Sequence, residues 1–246
     1  MDRFKAPPEA LDLCYFIRPK KIERPIDQLP QIYFTMGINP TADGSAYLEY
    51  NNIKVVCSVC GPIDIKQDGQ LYTSFNFAPF CSQIRREGGR DAEEKRLSQL
   101  LLTALEPSIV LDSFPRGKYI VAVTVLDDGT ELGDQISNIS SCLSAGITCA
   151  TLALVNSGVQ MYDLAIGLDI DTSSLSSADC NEERTSSIAL LTQLRQVSMF
   201  NAEKLELKSP QTLQKVFGDA FQRADRLHAT IRNAILTMYK EHGTKL

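Results

Sequence analysis

The run GSAYLEYNNIKVVCSVCGP (residues 44–62) decides the fold. Two segments rich in β-branched and aromatic residues flank Asn51-Asn52, a pair that tolerates the left-handed backbone of a tight hairpin turn. They read as two antiparallel strands. Beyond them, QLYTSFNFAPF (70–80) alternates Leu71, Thr73, Phe75 and Phe77 until Pro79 ends it. KYIVAVTVLDDG (118–129) alternates Tyr119, Val121, Val123 and Val125 ahead of an Asp128-Gly129 turn. Between these strands, Leu97, Leu101, Ala104 and Leu105 recur at helical spacing over residues 91–106, and Pro107 stops the helix.

The second half continues the interleaving. A small-residue helix follows, with Leu143, Ile147, Ala150, Thr151 and Leu154 on one face and Gly158 as its stop. Its Ser144, Ala145, Gly146 and Ala150 permit very close packing on a sheet. MYDLAIGLDID (161–171) alternates again and gives a strand over 162–170, and the polar run TSSLSSADCNEERTS (172–186) leads into SIALLTQLRQVSMF (187–200), whose SIALL reads as a strand. A long helix starts at Pro210 behind a Ser209 cap, with an apolar stripe from Leu213 to Met238. Residues 1–30, punctuated by proline, form an N-terminal arm, and 31–246 form one α+β domain.

The chain has 246 residues and a formal charge of −5, from 25 Lys and Arg against 30 Asp and Glu. That balance excludes coating nucleic acid by bulk electrostatics and leaves a local basic patch open. No apolar run approaching a membrane span and no signal peptide is expected, so the reading is a soluble intracellular protein. The 7 cysteines, an odd count, read as reduced thiols. Cys57 and Cys60 have metal or dithiol spacing, but three residues along a strand sends two side chains to opposite faces. No metal site and no cofactor is expected.

CSQIRREGGRDAEEKRL (81–97) sets Arg85, Arg86 and Arg90 and a Gly-Gly pair ahead of a helix start. Guanidinium groups grip phosphate bidentately, and helix N-termini favour anions. Asp91, Glu93 and Glu94 complement the same helix dipole and would repel a phosphate. A self-paired helix start and an RNA or phosphate contact are both open on these residues. Asp169, Asp171, Asp179, Glu182 and Glu183 could hold Mg²⁺, but they read as a solvated acidic loop without fixed spacing. His228 lies beside the apolar stripe of the last helix and reads as packed.

The order of motifs resembles the RNase PH family. ADGSAYLEYNNIKVVCSVCGP (42–62) resembles that family's opening hairpin. GGRDAEEKRLSQLLLTALEP (88–107) resembles its G-G-R-x-x-E-x-x-R-L helix, and SAGITCATLALVNSGVQMYDLAIG (144–167) its later helix and strand. The resemblance implies a two-layer RNase PH-like domain, of the kind also seen in the second domain of ribosomal protein S5, assembled in six-membered rings. Active members are phosphorolytic 3′→5′ exoribonucleases. Arg90 matches their phosphate-binding arginine. Their second phosphate motif is replaced here by DDGTELGDQISNISS (127–141), which has no arginine. Their metal-supporting aspartate pair falls at Ser187 and near Asn181, neither a carboxylate. The implied function is a non-catalytic ring subunit of the RNA exosome, channelling single-stranded RNA. Its implied partners are other RNase PH-like subunits, an S1-domain cap and a separate hydrolytic exoribonuclease, in nucleus, nucleolus and cytoplasm. The alternative is an active phosphorolytic exoribonuclease.

Overall fold

A computed structural model describes residues 31–65, 69–81, 92–129, 139–171, 185–202 and 210–243. The hairpin at the centre of the sequence reading is β2 (Gly44–Tyr50) and β3 (Ile53–Asp64), turning at Asn51 with φ 55°. β1 (Ile32–Met36) pairs with β2, and β5 (Gly117–Asp127) joins β3 to β4 (Gln70–Phe77), giving the order β1-β2-β3-β5-β4. β4 and β5 run parallel, so the chain between them must cross over, and α1 (Ala92–Leu105) makes that crossing. Leu97, Leu101, Ala104 and Leu105, the expected apolar set, are the buried residues of α1.

β4 is an edge strand, and α1 closes its open side. Ser98 Oγ accepts the backbone N–H of Phe75 at 2.9 Å, and Glu94 Oε1 accepts that of Phe77 at 3.0 Å. Thr73 donates its hydroxyl to the Ser98 carbonyl at 2.8 Å. Backbone groups that would otherwise template another strand are thereby satisfied within the chain.

α2 (Ile139–Asn156) lies between two sheets. On one side are β2, β3 and β5. On the other is an antiparallel sheet, β6 (Ala165–Asp171), β7 (Thr185–Leu191) and β8 (Gln196–Asn201). The sequence suggests one buried face, but every residue from Cys142 to Leu154 is buried, because sheet covers the helix on both sides. In length and hydropathy α2 could cross a membrane, against the expectation that no run approaches a span; here it is the core helix. Small residues allow its close approach. A Cβ at Gly44 would run into Ala153 O, one at Gly146 into the Phe75 ring, and one at Gly167 into Ser144 O.

Three hydroxyls at helical spacing tie α2 to β6. Ser144 Oγ donates to Leu168 O at 3.0 Å, and Thr151 Oγ1 to Ala165 O at 2.9 Å. Thr148 Oγ1 accepts the Gly167 N–H at 3.0 Å. The opposite face of this sheet, Ile166, Leu168, Ile170, Ile188 and Leu190, packs on Ala220, Ala224 and Leu227 of α3 (Pro210–Gly243). The two-layer pattern therefore occurs twice: a five-stranded sheet with α1 and α2, then a three-stranded sheet with α3.

The strand at 161–171 starts at Ala165, later than its alternation suggests, and Met161 instead bridges to Ile109. The strand expected at SIALL is β7, while β1 and β8 are additions to the sequence reading. Residues 1–30 and the Ser209 cap lie outside the described residues. Cys57 is buried and Cys60 exposed, so the two thiols diverge as strand geometry requires.

Candidate nucleic-acid interface

Arg85, Arg86 and Arg90 belong to residues 82–91, outside the described residues, as do Asp179, Asn181, Glu182 and Glu183 in 172–184. What the structure defines is the frame around them. Residues 82–91 connect the C-terminal end of β4 to the N-terminus of α1, and residues 130–138 connect that of β5 to α2. β4 and β5 are parallel with Phe77 beside Val125, so both connections leave one end of the sheet. Asp128 N donates to Cys81 O at 3.2 Å and ties the two departures together.

β6 adds the third connection at this end. Its last residues, from Leu168 on, lie under the first turns of α2, where Ser144 grips the Leu168 carbonyl; residues 172–184 leave from there. Three stretches scattered in sequence thus have their roots at one end of the molecule. This convergence depends on topology, and no local motif announces it.

The two helix starts at this end differ. α1 carries Glu93 and Glu94 in its first turn, and the Glu94 carboxylate is engaged by Phe77 N–H as well as by the helix dipole. α2 has no acid in its first turn. Among the described residues, the first turn of α2 sets no carboxylate against an anion, whereas that of α1 sets two.

The strand register gives the acids definite places. Asp169 pairs with Ser187, and Asp171 with Thr185. Ser187 is fully buried, and its hydroxyl has no hydrogen-bond partner among the described residues. Where the family resemblance expects a metal-supporting carboxylate there is a neutral hydroxyl, with a carboxylate one strand away. Asp169 also lies near Tyr50. Burial pushes the Tyr50 phenol well up, the Asp169 charge adds to this, and Arg223 on α3 opposes it. Among the described residues, no three His, Cys, Asp or Glu side chains converge on a metal-sized site. Burial also raises the Cys57 and Cys149 thiols, which leaves them protonated and inert.

Asp163 is a buried charge that the sequence reading passed over. Its Oδ2 accepts the N–H groups of Gln193 at 2.7 Å and Leu194 at 3.4 Å, and its Oδ1 accepts Leu164 N–H at 2.8 Å. His228 Nε2 lies 3.7 Å from Oδ1. His228 is thus packed, as expected, and it faces the carboxylate that holds the β7–β8 turn. This cluster joins the residues just before β6 to the turn and to α3; it is structural.

Comparison with known proteins matches residues 28–160 to the RNase PH family model, described as "3' exoribonuclease family, domain 1". The human "Exosome complex component MTR3" is 31% identical, over 81% of this chain and 85% of that one. The "Exosome complex component Rrp41" of Thermococcus gammatolerans is 35% identical, over 56% of this chain and 54% of its own length. The chain thus spans about half the length of that archaeal relative. Among solved structures, the Archaeoglobus fulgidus exosome with RNA bound to the active site superposes with a TM-score of 0.63. It is 16% identical and covers 86% of this chain and 91% of that one, a likeness of fold.

Proposed function

Because the chain belongs to the RNase PH family of 3′ exoribonucleases, we propose that it is a non-catalytic subunit of an RNA exosome ring. It scaffolds the ring with other RNase PH-like subunits and helps to channel single-stranded RNA. The observation that carries the exosome assignment is the near full-length similarity to the human component MTR3. The Ser187–Asp169 pairing supports the lack of catalysis: a metal that neutralises charge at the scissile bond needs the carboxylate that Ser187 does not supply. An S1-domain cap sits on this ring, a separate hydrolytic nuclease degrades the RNA, and residues 1–30 act as an arm. Nucleus, nucleolus and cytoplasm are the compartments in which such a particle works.

Arg85, Arg86 and Arg90 leave the sheet end shared by the other two connections, and on this reading they face RNA phosphates as contacts. The competing reading, an active phosphorolytic exoribonuclease, draws on the similarity to the archaeal Rrp41 and on Arg90. One experiment separates them. The protein, alone and in its ring, is incubated with Mg²⁺, inorganic phosphate and single-stranded RNA. No nucleoside diphosphate should be released beyond what the ring releases without it; release that Arg90→Ala abolishes would establish the enzyme. In the same ring, alanine at all three arginines should weaken RNA binding and flatten its salt dependence, by up to about two units of slope for three lost contacts to single-stranded RNA. An unchanged footprint would make the cluster structural.

A further inference from the structure

The two edges of the five-stranded sheet are treated differently. At the β4 edge, Ser98 and Glu94 of α1 take the outward N–H groups of Phe75 and Phe77. At the β1 edge no described element does the same. Asn51 N–H donates to Gln31 O and Gly37 N–H to Ser45 O, so the odd-numbered residues of this stretch bond inward to β2. The backbone groups of Ile32, Phe34 and Met36 therefore point outward, and no described hydrogen bond reaches them from that side. IYFTM contains no charge and no proline, and its pairing with β2 runs without a bulge. Charges, prolines and bulges are the devices by which proteins ordinarily blunt an edge. Tyr33, 58% exposed, stands on the outer face of the same strand.

The geometry points to β1 as a strand-addition site for a neighbouring RNase PH-fold subunit, paired antiparallel with that neighbour's own first strand. The inference rests on the ring reading above. Three features select this occupant. Main-chain recognition requires an extended strand with an open edge of its own. In a neighbour of this fold, the other edge of the large sheet is closed by its first helix, as β4 is here. An uncharged β1 brings no like-charge repulsion to the pairing, whereas RNA would need cations that this strand lacks.

The test uses the full-length protein, free and in the particle purified from its own cells, by hydrogen exchange over residues 31–37. On entering the particle, the amides of Phe34 and Met36 should slow by about tenfold or more. The double variant Tyr33→Lys with Thr35→Lys, placed on the outer face where folding tolerates charge, should fail to enter the particle. Ser74→Lys on β4 should enter normally, and melting curves of both variants confirm that they fold. Unchanged exchange in an assembled particle, or entry of the double variant, overturns strand addition while the ring reading stands. If the wild-type protein enters no particle of RNase PH-fold subunits, both fall.

Discussion

Replacing Gly167 with valine should unfold much of the protein or lower its melting temperature by about 6–12 °C, for a loss of about 3 kcal/mol. Any Cβ at this position meets the Ser144 carbonyl group and its neighbouring Cα, which are helix backbone and cannot rotate away. Nor can α2 simply lift, since Ser144, Thr148 and Thr151 hold it to β6 at three points. Alanine already introduces the offending atom, so Gly167→Ala should show most of the loss. Gly218 is the control: it lies in α3, where an added Cβ would have nothing within 4 Å. Gly218→Ala should stabilise by about 0.5–1 kcal/mol, by removing backbone freedom from the unfolded chain. Thermal melts that rank Gly167→Ala level with wild type would refute the account of how α2 packs.

Asp163→Ala should cost about 2–4 kcal/mol in denaturant titrations. The substitution strips the acceptor from Gln193 and Leu194 N–H and leaves His228 facing an apolar methyl. The turn it holds also contains Arg195 at φ 54°, a backbone conformation that gains nothing from an arginine side chain and needs outside support. Asp163→Asn keeps one acceptor oxygen and should lose less than alanine. Equal losses for the two would mean that the carboxylate is held by packing alone and not by its hydrogen bonds.

Where an element is fixed by neighbours in sequence, it could be read directly. The β2–β3 hairpin is announced by Asn51, and the buried side of α1 by leucines at helical spacing. α2 was legible in extent but not in environment: small residues signalled close packing on one side, while the second sheet comes from residues 165–201 and leaves no local mark. β1 is five residues long, too short for its alternation to stand out, and its pairing with β2 makes it a strand, although Gly37 and Asn39-Pro40 mark the turn after it. SIALL reads as a strand and is β7, but its hairpin partner β8 carries no such mark, because the turn between them uses Arg195 where glycine or asparagine would be a signal.

The candidate site divides in the same way. A resemblance of motifs can flag Arg90 and the missing carboxylate at Ser187. It cannot show that Asp169 lies directly across from Ser187, since that depends on strand register. The runs SGVQMYDLAIG and EERTSSIALL resemble the exosome subunit named for messenger-RNA transport, and the similarity to human MTR3 agrees with this. Asp163 lies inside the first of those runs, yet nothing in its local sequence sets it apart from a surface acid.

The central claim is membership of a ring without catalysis in this subunit, and native mass spectrometry after affinity purification of the full-length protein tests it most directly. The account predicts a particle in which this chain is present in stoichiometric amount with other RNase PH-fold subunits, six such subunits in all. A monodisperse monomer that recovers none of them would contradict it.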